Sequence, residues 1–304
     1  MSESIKFQKP FLKWVGGKTQ HIHQIMNSFP DTMENYHEIF LGGGSVLLAL
    51  LSLQKMGKLV IKGNVYAYDL NNQLIRVYRD VQSNKDVLIA CVEKYKKEYS
   101  ECPMVERGVA NRKPLNEDEA NTSKESYYYW MRKKFNELTE LSVESSALFI
   151  MLNKTGFRGV YREGPNGYNV PFGHYKKTPM IISKSEIDNI SELIKDVIFI
   201  DIDFAKSMNN ATKGDFVYLD PPYAPKNRTS FVGYTENGFN IDMHKNLFKL
   251  TKELTTNNIK FAMSNANVEL VKKSFEGYSI TEISARRSIH SKNPASKTTD
   301  VLIV

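Results

Sequence analysis

The stretch Phe216-Val217-Tyr218-Leu219-Asp220-Pro221-Pro222-Tyr223 constrains this chain more than any other. Its apolar, aromatic and β-branched run reads as a buried strand, ending abruptly on a carboxylate and two prolines. Proline has no N–H for a sheet ladder, and it steers the residue before it away from helix. The strand therefore stops at Asp220 and hands Tyr223 to a stiff loop at the carboxyl edge of a sheet. That edge is where open α/β sheets bind ligands. These groups suit the holding of a planar base by its exocyclic amine. Asp220 and the Pro221 carbonyl accept the two N–H bonds of the amine, and Tyr223 stacks on the base that bears it. A strand-terminating turn of any α/β protein is the plainer reading of the same residues.

A second strand, Tyr36 to Leu41, runs into Gly42-Gly43-Gly44 and a helix that begins near Ser45. Such a turn lets a ligand rest against bare backbone at a helix N-terminus, where N–H groups point outward. The strict G-x-G-x-x-G spacing is absent, so a nicotinamide dinucleotide is not expected. Val65 to Leu70 is a further strand ending on Asp69, where an acid holds a ribose diol. Glycine turn and acid together suggest a cofactor bearing adenosine; the alternative is a plain helix cap at Asp69. The strand Val197 to Phe204 ends in acids, and Asp203 and Phe204 could flank the adenine, with Asp201 a competitor. Near the start, Phe11-Leu12-Lys13-Trp14-Val15-Gly16-Gly17-Lys18 puts a glycine pair before a lysine suited to a carboxylate or phosphate. It lacks the first glycine and the spacing of a Walker loop.

Strand and helix alternate on both sides of residues 80–185, which predicts one doubly wound sheet with an inserted helical module. Helix is expected over 19–27, 72–99, from Glu125 through Leu138, over 143–153 and over 243–255. Residues 100–126 have no apolar period and read as an exposed loop or mobile insertion. There is no internal repeat. With 304 residues, 41% of them hydrophobic, the chain has ample core for this plan. Cys91 and Cys102 suggest neither a disulfide framework nor a zinc site. The start resembles no secretory signal and no apolar run reaches membrane length, so an intracellular protein without membrane association is expected.

The net charge of +7 favours an anionic partner, and its distribution is more telling than its size. Lys154, Arg158, Arg162, Lys176 and Lys177 face a single acid, Glu163, and are interleaved with aromatic and turn residues through Asn169, Pro171, His174 and Tyr175. This is the composition of a hairpin that follows a phosphate backbone and inserts rings or amides between bases; a solvated basic loop is the alternative. A second basic loop, Arg286-Arg287-Ser288-Ile289-His290-Ser291-Lys292-Asn293, favours nucleic acid. Residues 228–234 form a polar, aromatic loop able to close over a substrate.

In order, F-L-K-W-V-G-G-K, E-I-F-L-G-G-G-S-V, the strand ending at Asp69, N-V-P-F-G-H-Y-K-K, D-P-P-Y and R-R-S-I-H-S resemble the Dam-type (alpha-class) DNA adenine-N6 methyltransferases. The resemblance runs from about residue 9 to the end, excepting 100–126. It implies a Rossmann-like methyltransferase sheet formed by residues 1–80 and 185–304, with a mostly helical target-recognition domain over 81–184 and a β-hairpin near 157–177. It implies S-adenosylmethionine as cofactor, no metal, and double-stranded DNA as partner. Trp14, Lys18, Phe40, Gly42, Gly43, Gly44, Ser45, Asp69, Asp203, Phe204 and Asp220 match cofactor-binding positions. Asp220, Pro221, Pro222 and Tyr223 match the catalytic motif. Lys13, Arg158, Arg162, Asn169, Pro171, His174, Tyr175, Lys176, Arg286, Arg287 and Ser288 fall where the family meets DNA. His174 stands where the family usually has arginine, and the 100–126 stretch is longer than expected.

The resemblance implies a methyl transfer to N6 of an adenine flipped out of a short palindromic duplex, with Tyr223 stacked on it. GATC is the first expectation; CATG or another tetranucleotide is the alternative. A restriction endonuclease acting on the same site is a further expected partner. Two other readings exist: related chemistry on cytosine-N4, RNA or a protein glutamine, and a non-catalytic DNA-binding module of the same fold. Aspartate rather than asparagine at position 220 argues against the first. The intact set Trp14, Lys18, Asp69 and Asp220 argues against the second.

Overall fold

The computed structural model describes residues 5–225, 239–286 and 297–304. The chain divides into two compact units. One comprises Met1–Lys9, Lys18–Leu70 and Asp196–Val304; the other comprises Pro10–Gly17 and Asn71–Lys195.

The first unit is built on a seven-stranded sheet. Its strands are β1 (Tyr36–Glu38), β2 (Val65–Asp69), β3 (Val197–Asp201), β4 (Phe216–Leu219), β5 (Lys260–Ala266), β6 (Ile280–Arg286) and β7 (Lys297–Ile303). Their order across the sheet is β6-β7-β5-β4-β1-β2-β3. The five strands β1 to β5 are mutually parallel, and β7 lies antiparallel between β5 and β6. From β1 the chain proceeds outward through β2 and β3, then returns to the other side of β1 with β4 and β5. The order therefore reverses between β1 and β4, where the carboxyl ends of two adjacent parallel strands open a crevice. The glycine turn leaves β1 and the Asp-Pro-Pro-Tyr loop leaves β4, so both emerge at that crevice. Glu38 pairs with Tyr218 in the register between the two strands.

Central position explains composition. All four residues of β4 are buried, as a parallel strand covered on both faces requires. Val217 and Leu219 join Ile39, Leu247, Phe248, Phe275, Val301 and Ile303 in one apolar cluster. The Ser45–Lys55 helix buries eight consecutive residues, Val46 to Leu53, and the Ile241–Thr256 helix contributes a stripe spaced three to four residues apart. This is a mixed α/β architecture with a mostly parallel central sheet, consistent with a Rossmann-like methyltransferase fold.

The second unit is mostly helical: Asn72–Ser83, Lys85–Glu101, Lys124–Glu137, Val143–Thr155 and Lys184–Leu193, with a small ribbon pairing Glu163–Gly164 and Gly167–Tyr168. Two details differ from the sequence reading. The single helix expected over 72–99 is broken at Asn84, whose φ of −127° lies outside the helical range. Its side chain turns back to Asp80 Oδ1 at 2.7 Å, the kind of local bond by which asparagine competes with helix. Residues 100–126 are not simply an exposed loop: Asn116 caps a short helix, Glu117–Ala120, and Cys102, Ala120 and Ser123 are buried.

Candidate active site

In the sheet unit, Lys18 joins the glycine turn to the proline loop. Its backbone N–H donates to Ser45 Oγ at 3.1 Å, at the start of the helix after the glycine turn. Its Nζ lies 2.6 Å from the Asp220 carboxylate and 4.9 Å from the centroid of the Tyr223 ring. The Tyr223 hydroxyl donates to Asp300 Oδ2 at 3.1 Å, and Asp300 is on β7. One residue further, the Ala224 N–H donates to Asn265 Oδ1 at 3.1 Å. The proline loop is thus held on three sides, by Lys18, β7 and the end of β5.

Burial dominates the electrostatics. Asp220 is held above the usual carboxylate range by desolvation; the Lys18 ammonium pulls it back down and the Asp300 charge adds to the rise. Glu38, at the end of β1, is also pushed well up by burial while it accepts from the Tyr36 hydroxyl at 2.8 Å, and the Asp220 charge adds to the rise. Burial likewise raises the Tyr223 phenol, so it stays protonated and donates to Asp300. Lys18, only 5% exposed, is the cation paired with Asp220.

The glycine turn has the shape its composition suggests. Gly42 and Gly44 have φ of +49° and +67°, a left-handed conformation that a side chain makes costly. Gly42 N–H donates to Asp69 Oδ2 at 2.9 Å, so the acid at the tip of β2 braces the turn. Gly43 and Gly44 are buried, and Ser45 is half-buried. Phe40 is half-buried and stacks on Phe204 at 5.8 Å. Phe204 itself is a core residue, and Asp203 caps the short Phe204–Met208 helix through the Ala205 N–H at 2.8 Å. A cofactor bearing adenosine and a sulfonium fits this donor set. Asp69 is an acid at the strand tip, Phe40 is a partly exposed ring, and Glu38 and Asp220 are carboxylates beside a turn of bare backbone.

The remaining predicted residues lie in the helical unit or beyond the described chain, except Arg286, which is in the sheet unit. Trp14 is half-buried in a stack with Phe149 and Tyr161, at 6.4 and 6.1 Å. Lys13 Nζ donates to the Lys154 carbonyl at 3.0 Å and to the Tyr175 hydroxyl at 3.3 Å, and Tyr175 in turn donates to the Gly156 carbonyl. Burial lowers the pKa of Lys13. Arg162 and Asn169 pair with each other, side chain to side chain at 2.6 Å. The Pro171 carbonyl accepts from the Phe157 N–H at 2.9 Å. Arg158 has a left-handed φ of 55° and is exposed, as is Lys176, while His174 lies 3.8 Å from Glu125. Arg286 ends β6, paired in register with Lys297. Arg287, Ser288, the rest of the second basic loop and the 228–234 loop lie outside the described residues.

Comparison with known proteins agrees with the geometry. The profile of the D12 class N6 adenine-specific DNA methyltransferases matches residues 14–289. The chain belongs to this family. It is 35% identical over 299 residues to the Type II methyltransferase M.MjaIII of Methanocaldococcus jannaschii, covering 95% of each chain. It is 31% identical to the DNA adenine methylase of Haemophilus influenzae, over 94% of this chain and 89% of that one. The DNA adenine methylase of Escherichia coli K12 is 27% identical, over 98% and 95%. This family membership makes the chain a DNA adenine methyltransferase. Among the described residues, no helix is long and apolar enough to cross a membrane.

Four residues of these sites escape a reading of the sequence. Asp300 and Asn265 carry no motif of their own; only the pairing of β7 with β5 and of β5 with β4 brings them to the proline loop. Glu38 stands just ahead of the glycine turn, whose signal is the stronger one. Asn153 is a buried amide whose Oδ1 accepts from the Lys13 N–H at 2.9 Å and whose Nδ2 donates to the Lys13 carbonyl at 2.7 Å. It grips the segment carrying Trp14 as a neighbouring strand would.

Proposed function

We propose that this member of the family transfers a methyl group from S-adenosylmethionine to N6 of an adenine flipped out of a short palindromic duplex. In this reading the sheet unit is catalytic and the helical unit finds the target. The observation that carries it is Asp220, half-buried at the carboxyl end of β4 with Lys18 at 2.6 Å and followed by Tyr223. Both this loop and the glycine turn leave the switch point of the sheet.

The N6 lone pair of adenine is delocalised into the ring, so the amine is a poor nucleophile. Asp220 and the Pro221 carbonyl accept its two hydrogens and favour the pyramidal geometry that frees the lone pair. Tyr223 stacks on the base, and Asp300 holds its hydroxyl. Lys18 keeps Asp220 ionised in surroundings that would otherwise protonate it. The cofactor supplies an electrophilic methyl group on a sulfonium. Asp69 and the Phe40–Ser45 turn hold its adenosine end, and Asp220 favours its positive charge. Positioning and fixed electrostatics contribute most of the rate. Asp220 is the nearest base for the proton released from N6.

GATC is the first site proposed, with CATG or another tetranucleotide as the alternative. A restriction endonuclease of the same specificity is the proposed companion. The test is methyl transfer from labelled cofactor to unmethylated plasmid, mapped base by base, with Asp220→Ala as control. Methyl groups on adenine at one palindrome, lost in the control, support the reading. Tight cofactor binding without transfer to DNA would overturn it and point to RNA or protein substrates.

A further inference from the structure

The Tyr129 ring, in the Lys124–Glu137 helix, has two guanidinium groups beside it. Arg132 lies 4.6 Å from its centroid and Arg112 lies 5.8 Å from it. Each is fixed by one bond. Arg132 Nη1 donates to the Val170 carbonyl at 3.1 Å, and Arg112 Nε donates to Glu125 Oε1 at 2.7 Å. The other oxygen of Glu125 lies 3.8 Å from His174 Nε2. Charge and exposure are distributed unevenly here. The Glu125 side chain is 5% exposed, whereas those of Arg112 and His174 are 53% and 36% exposed. The acid is sunk beneath the Arg112 guanidinium it orients, and the exposed side chains around it are basic. Arg112 spends Nε on Glu125, and its side chain is 53% exposed, so its two terminal amino groups are not committed to that bond.

Three separate stretches meet here. Arg112 comes from the 102–122 stretch, Arg132 from a helix, and Val170 and His174 from the segment that follows the ribbon. Glu125 ties the first to the third. An exposed guanidinium held by Nε presents its two terminal amino groups as a fork, the geometry that matches two oxygens of a phosphate.

We propose that Arg112, with Arg132 and His174, forms a clamp for one backbone phosphate of the DNA, delivered by the 102–122 stretch. The proposal rests on the reading that the hairpin meets duplex DNA. The stretch then supplies a permanent cation beside His174. A phosphate contact fixes register without reading sequence, so its loss weakens all duplexes alike.

The test compares binding of the full-length protein to a fluorescein-labelled GATC duplex and to a scrambled duplex across a salt series. Arg112→Gln keeps a donor for Glu125 and removes the charge. It should weaken both duplexes by about three- to tenfold and flatten the log K against log salt slope by about 0.9, the share of one phosphate. Arg112→Lys should keep the slope. Adding His174→Arg to Arg112→Gln should restore it, which a merely structural role for Arg112 would not allow. An unchanged slope in Arg112→Gln overturns the clamp, and so does a loss confined to one duplex. Failure of the parent protein to bind either duplex overturns the DNA reading itself, and is seen before any variant is made.

Discussion

The Tyr223 hydroxyl donates to the Asp300 carboxylate at 3.1 Å, which ties the aromatic ring of the proline loop to the antiparallel strand β7. The two should behave as one unit. Tyr223→Phe keeps the ring and should lower kcat about three- to tenfold, and Asp300→Ala should do the same. The double variant should be no worse than either, because the second change removes a bond already lost. Single-turnover rates at saturating DNA check this; additive losses would separate the two residues.

Lys18 and Asp300 act on Asp220 in opposite directions. In the proposed reaction Asp220 is ionised when it accepts the amine, so activity should fall as pH drops through its raised pKa. Lys18→Met removes the opposite charge and should move the acid limb of the pH–rate profile upward by about one to three units. Asp300→Asn removes a like charge and should move it downward. A shift of both limbs in the same direction would contradict the arrangement.

His244 is fully buried on the Ile241–Thr256 helix, with the Phe239 ring edge-on at 4.6 Å and neither ring nitrogen hydrogen-bonded. Burial lowers its pKa to about 4. Below pH 6.5 the unfolded chain takes up a proton that the folded chain refuses until about pH 4. This contribution to stability is therefore intact above pH 6.5 and is lost as the pH falls, by about 2 kcal/mol at pH 5. His244→Phe should flatten the stability curve between pH 7 and 5 in urea titrations.

Asn153 satisfies both backbone groups of Lys13 and also donates to the Gly159 carbonyl at 3.2 Å. Asn153→Ala strands buried polar groups and should cost about 2–3 kcal/mol. Hydrogen exchange should speed up at the amide of Lys13 well before it does in the sheet.

How much of the fold and the site can be read from residues alone depends on range. The strand ending at Asp220 and the turn at Gly42–Gly44 are readable because proline and glycine act locally, within a residue or two. The Lys18–Asp220 contact spans 202 positions, yet each partner stands in a motif. Asp300 and Asn265 have no such marker; strand order alone recruits them. The same holds for Arg162 and Asn169, both read as meeting DNA, which turn toward each other across the ribbon. The break at Asn84 leaves no mark in the sequence because the apolar period continues through it.

The helical unit is not one continuous piece of chain: Pro10–Gly17 belongs to it, and the next residue, Lys18, belongs to the sheet. If this unit finds the target, as proposed, trading it between relatives means exchanging two segments, the long one and the octapeptide that Asn153 grips. A graft of residues 71–195 alone would carry an amide cut for a strand that the recipient supplies with different neighbours. Modularity in this enzyme has two seams near the amino terminus, and one of them falls between a glycine and the lysine paired with Asp220.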